Sequence, residues 1–283
     1  MNIKKFSGFT ALAFIMGILP AHSASIVYLE VESSKNGEPR DTNTNIITVD
    51  ENKFRLDYLD SGNESTEQTP FLLTLNDGKD WVLADQKDNM FYCTRIGIND
   101  FFRDLGDIMW NMDSLANATI SESKLELLLE EPGPEISGYD TIHLRFRTTA
   151  RVNARVLFKK FEYGMTKTDD IWYTQEREIH PARKRWIEAL THSGYEQIDE
   201  LSSALRSKIP GALLKQMSVV TITDYKKGKV DTYERNVRVA SIKELESSEV
   251  PEDTFTSPDC NDISDSQLHD AAKAIFKEDR LSL

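Results

Sequence analysis

Residues 76–93 read NDGKDWVLADQKDNMFYC, and their punctuation decides the fold class. Asn76-Asp77-Gly78-Lys79 is a hairpin signal, because Asp-Gly tolerates the left-handed backbone a tight β-turn needs. DQKDN at 85–89 is a second turn of the same kind. Two such turns, so closely spaced, leave room only for short strands, so three neighbouring antiparallel strands are expected here. Trp81 supplies bulk on one face of the middle strand, and either a packed core or a cavity wall would accept it.

Outward from this hairpin pair the chain alternates with period two. In KFRLDYL (53–59) Phe54, Leu56 and Tyr58 oppose Lys53, Arg55 and Asp57. TIHLRFRT sets Ile142, Leu144 and Phe146 against His143, Arg145 and Arg147. KLELLLE and ARVNARVLF repeat the pattern. Such alternation marks half-buried strands of an antiparallel sheet with one wet face. Strands are expected near 25–33, 44–50, 53–59, 71–76, 79–84, 89–95, 120–130, 138–150, 151–175 (broken) and 214–240 (a hairpin around the KKGK turn at 226–229).

Helical spacing is confined to a few segments. NDFFRDLGDIMWNM places Phe101, Leu105, Ile108 and Met112 on one stripe, widened by Phe102 and Met109, with Asn99 or Asp100 as cap. PARKRWIEALTHSG starts with Pro181 in a first-turn position and stops near Gly194. YEQIDELSSALRSK follows it, and the acidic tail beyond Asp262 suits one more helix. The expectation is therefore mainly antiparallel β with α: a curved, unclosed half-barrel sheet of about ten strands, covered by two to three helices. A single domain over 24–262 is expected, preceded by a leader at 1–23 and followed by a C-terminal helical tail at 263–283.

The leader reads as a cleaved export signal. Lys4 and Lys5 form its positive region, Phe9 to Leu19 its apolar run, and Ala21-His22-Ser23 its small-residue cleavage site. That run is shorter than the roughly 20 residues a membrane span needs, and no later stretch is apolar enough to cross a bilayer. A periplasmic protein is the expectation. Without Lys4 and Lys5 the chain carries 32 basic against 47 acidic residues, a balance that disfavours nucleic acid and anionic membrane surfaces. Cys93 and Cys260 are the only cysteines. In an oxidising compartment a disulfide between them is the simplest expectation, with two free thiols or a catalytic cysteine as alternatives.

The order KFRLDY, then LNDGKDWVLADQKDNMFY, then an amphipathic helix resembles the bacterial outer-membrane lipoprotein carriers (LolA/LolB-like). It is more similar still to an exported family of unknown function grouped with that fold. Arg55, Asp77-Gly78-Lys79, Trp81 and Asp85 carry the resemblance, together with DDIWYTQEREI and VVTITDYKKGKV, over residues 25 to 258. It implies an unclosed barrel with a hydrophobic cavity for acyl chains, lidded by helices. The carriers close that lid through an arginine ahead of the FR-type strand, where this chain has Asp50-Glu51-Asn52.

Catalytic signals are weak. Glu176, Glu178 and His180 alternate on one strand face, yet the close His or Cys ligands of a zinc site are missing, so a solvated face is the better reading and no metal is expected. There is no nucleophile elbow, phosphate-cradling loop or HExxH helix, and neither an enzyme nor a cofactor is expected. The cluster Arg145, Arg147, Arg151, Arg155, Lys159 and Lys160 would meet lipid head groups or an acidic partner, or pair with acids on neighbouring strands. The leading expectation is a non-catalytic carrier for a lipid-like apolar ligand, its cavity candidates being Trp81, Phe101, Phe102, Leu105, Ile108, Met109 and Met112. The alternative is an envelope interaction or scaffold protein with a fully packed core, engaging another envelope protein.

Overall fold

A computed structural model describes residues 23–60, 71–87, 90–97, 119–156, 159–190, 196–257 and 261–262. Six strands come first: β1 (Ser23–Lys35), β2 (Glu38–Asp50), β3 (Lys53–Asp60), β4 (Phe71–Thr74), β5 (Asp80–Lys87) and β6 (Met90–Gly97). Then follow β7 (Thr119–Pro132), β8 (Ile142–Val156) and β9 (Lys159–Thr174). Two helices, α1 (Pro181–Leu190) and α2 (Glu196–Ser207), precede β10 (Ala212–Asp224), β11 (Lys229–Glu246) and the two-residue β12 (Asn261–Asp262). Among the described residues they build one sheet in the order β12-β6-β5-β4-β3-β2-β1-β11-β10-β9-β8-β7. All pairings are antiparallel except β12 on β6.

Each half is a meander, and the junction between halves is the pairing of β1 with β11, from Ser23↔Glu246 to Lys35↔Tyr233. The turn chemistry that builds the meanders is the chemistry read from sequence. Asp77 and Gly78 both hold positive φ (58° and 79°), and the Lys79 N–H donates to Asn76 O. Gly228 in the KKGK turn also holds positive φ (66°). The expected broken strand at 151–175 is a correction: residues to Val156 continue β8, and β9 is a separate strand paired with β8 from Val156↔Lys159 to Ile142↔Tyr173. Likewise β8 begins at Ile142, not near 138, because Ile136 and Tyr139 form a small bridge of their own.

The helices are an insertion between neighbouring strands. Thr174 at the end of β9 and Ala212 at the start of β10 are register partners, and the Ala212 N–H donates to Arg177 O (2.9 Å). From Arg177 to Ala182 five residues reach at most about 18 Å. Yet the Cα of Ala182 lies 3.2 Å from where a Cβ on Gly78 would sit, on the β4–β5 turn. In a flat sheet β10 and that turn would be about 26 Å apart. The sheet therefore curls around the insertion, and the edges β12 and β7 stay unpaired with each other. This is the curved, open half-barrel expected.

One expectation about the faces fails. The outward face of β3–β6 is not wet: Phe71, Leu73, Ala84 and Cys93 form a buried cluster there, with Val82 and Phe255 against it. The chain after β11 folds back over that face. Arg55 donates to Thr254 O (3.0 Å) and to Asp57 Oδ1 (2.8 Å), with its guanidinium 4.0 Å over the Phe71 ring. Alternation predicts which residues share a face, but cannot say that a distant segment will cover the other one.

Candidate functional site: the inner face of the sheet

The helical insertion covers the inner face. Phe54, Leu56, Leu72, Trp81 and Leu83 join Val27, Leu29 and Ile47 in a buried cluster, with Ala182 of α1 among them. Trp81 is 1 % exposed. Its ring stands edge-on to Phe54 (5.7 Å, 80°) and its Nε1–H donates to Gly78 O (3.1 Å). At the other side Leu144, Phe146, Ile171 and Tyr173 form a second inner cluster, with Leu205 of α2 and Ile209 packed on it. The remaining cavity candidates, Phe101, Phe102, Leu105, Ile108, Met109 and Met112, and also Cys260, lie outside the described residues.

The neck of the insertion is held by polar contacts. The Arg177 guanidinium binds Ser25 Oγ (2.8 Å), Tyr139 Oη (3.1 Å) and the Glu244 carboxylate, tying the insertion to β1, β11 and the 136–139 bridge. His180 donates from Nε2 to Glu51 O (2.8 Å) and accepts at Nδ1 from the Ala182 N–H, which caps α1. Glu51 thus meets the insertion through its backbone. Beside the neck, burial pushes the Arg183 guanidinium down to about 10, with the charge of Arg177 adding to the effect. Glu176, Glu178 and His180 do not alternate on a strand face, because β9 ends at Thr174; Glu176 accepts from the Asp140 N–H (3.2 Å) and His180 is occupied at both nitrogens. No cluster of three or more metal-ligating residues occurs among the described residues.

Beyond Ile171 on β9 and Leu214 on β10 the inner face turns polar, and sequence reading missed this. Register places Gln216 opposite Ile171, Ser218 opposite Asp169 and Asp169 opposite Phe146, so these side chains share the inward face. Asp169 is 0 % exposed, Ser218 4 % and Lys167 7 %. Asp169 Oδ1 accepts from Ser218 Oγ (2.6 Å) and Gln216 Nε2 (3.1 Å) and lies 3.3 Å from Lys167 Nζ. Its Oδ2 is buried with no hydrogen-bond partner. On β2 the inward Asn43 Nδ2 and Asn45 Oδ1 are in the same condition. Interiors pair nearly all their polar atoms, so the bare Asp169 Oδ2 marks a place on β9 and β10 shaped for something polar, and the atoms of Asn43 and Asn45 mark a separate one on β2, four strands from β9. The signal was present as a break in the apolar alternation of LLKQMSVV, but reading it required the β9–β10 register.

Arg145 and Arg151 of the basic cluster, by contrast, pair locally. Arg145 donates to Asp170 (2.8 Å), Arg151 binds Glu162 and Glu122, and His143 lies between Asp170 and Glu131, stacked on Trp172 at 4.3 Å. The side chains of Arg155, Lys159 and Lys160 lie outside those described.

No family model and no curated protein matches the chain. A search of solved structures finds similarity to a LolA superfamily protein from Nitrosomonas europaea, at 10 % identity, covering 84 % of this chain and 91 % of that one, with a TM-score of 0.23. That superfamily is the one the sequence resembles. At such a TM-score the likeness carries no argument, and the fold description rests on strand order and register.

Proposed function

We propose that the protein is a non-catalytic periplasmic carrier for a lipid-like molecule, held between the inner face of the sheet and the helical insertion. The observation behind this reading is the pattern of that face: two apolar clusters, each with a buried polar atom lacking a hydrogen-bond partner beside it. An acyl chain gains free energy by leaving water for the apolar surface, at about 0.8 kcal/mol per buried CH₂. The polar strip gives its head group somewhere to hydrogen-bond. The export reading of residues 1–23 supports the compartment. A Cys93–Cys260 disulfide belongs to the same proposal, and the pairing of Asn261 with Tyr92 and of Asp262 with Cys93 supports it.

Native mass spectrometry of protein purified from periplasm without denaturants tests the reading. A bound lipid mass is the expected result. A clean apo mass, with no displacement of a fluorescent acyl probe, favours a scaffold whose interior is fully packed, the arrangement that the tight seating of Trp81 against Phe54 and Gly78 also suits.

A further inference from the structure

Asp169 sets a sharper requirement than lipid binding in general. The side chain is wholly buried, one oxygen is crowded with partners and the other has none. Asp169 is flanked by its register partner Phe146 and by Ile171, two residues on, both 1 % exposed and both in the apolar cluster under α2. A carboxylate oxygen left bare in such surroundings is costly, and a donor brought to it gains more than one brought to a neutral acceptor. The donor's nature follows from the neighbours: Lys167 Nζ lies 3.3 Å from this carboxylate, and Arg235, the register partner of Ser218, shares the inward face, so a cationic head would meet like charge, whereas a hydroxyl would not.

We propose that Asp169 Oδ2 is the seat for a hydroxyl on the ligand's head group, so that the cargo is an acyl compound with a hydroxylated head, acylglycerol-like, not a free fatty acid or an acylamine. This rests on the carrier reading.

Four ligands with one chain length decide the matter on the wild-type protein: monolaurin, its di-O-methyl ether, laurate and dodecylammonium, titrated at pH 8 below their aggregation limits. Monolaurin is expected to bind at least about tenfold more tightly than each of the others, the scale of one hydrogen bond to a charged group. Asp169→Asn should remove most of that preference. Equal binding of monolaurin and its ether means that water suffices at Oδ2 and overturns the inference while the carrier reading stands. Preference for dodecylammonium, or a monolaurin preference that persists in the variant, overturns it equally. If none of the four binds, the carrier reading falls with it. Should Asp169→Asn not fold, the wild-type comparison of monolaurin with its ether decides alone.

Discussion

Asp57 shows how a residue read as solvent-facing acquires a different chemistry once covered. Burial raises its pKa from the ordinary aspartate value, and the hydrogen bonds and charge of Arg55 work against that rise. The sign follows: a carboxyl whose folded pKa lies above its unfolded one contributes stability that is present at acid pH and lost as pH rises through the folded value. The stability difference between wild type and Asp57→Asn should therefore shift in favour of wild type as pH falls toward and below the ordinary aspartate range. Urea unfolding of both proteins across that range checks it, and parallel pH profiles would count against it. The residue pattern of KFRLDYL was legible in the sequence; the cover supplied by Thr254 and Phe255 was not, because nothing local encodes a contact 199 residues away. Asp169 has the same history, since burial that complete depends on which strands flank it.

At the scale of elements, the hairpins were the most legible part, because Asp77-Gly78 and Gly228 carry their conformations locally. Helix starts were nearly as clear, with Pro181 at a first turn and an acidic first turn, Glu196 and Asp199, in α2. The division between β8 and β9 was not, since the alternation of ARVNARVLF runs on past Val156 and no Gly, Pro, Asn or Asp marks a turn there. Least visible was the neck of the insertion. A Cβ on Gly211 would sit 1.8 Å from Thr174 O, so only glycine lets the chain re-enter the sheet beside the strand it left. Gly211→Ala should force the β9–β10 ends apart and destabilise the fold by about 2 kcal/mol or more, read as a lowered midpoint of thermal unfolding. Gly138→Ala, where a Cβ meets nothing within 4 Å, bears only the strain of its positive φ and should cost less.

For the whole molecule the deciding contact is β1 on β11, which joins two meanders into one sheet and sets the early and late thirds of the chain side by side. The proposed Cys93–Cys260 link would add a second long-range tie, at the far edge of the sheet. Closing a loop of that length is valued at up to about 5 kcal/mol in the chain-entropy model. Reduction should thus lower the unfolding midpoint measurably, and denatured, unreduced protein should show no reactive thiol. Two titratable thiols in that sample would refute the link.

What the sequence determined by itself is local: strand alternation, the turns, the capped helices, and through them an antiparallel sheet with few helices. These follow from backbone sterics and side-chain periodicity within a few residues. Only the tertiary structure decided which strands flank β1, that the outer face of β3–β6 carries a buried cluster, and that the inner face turns polar along β9 and β10. Register, curvature and burial are properties of residues far apart in the chain. The opening stretch illustrates both sides: its Asp-Gly turn follows from sequence, whereas Trp81 lies buried between Phe54, Gly78 and Ala182 only because the sheet curls around α1.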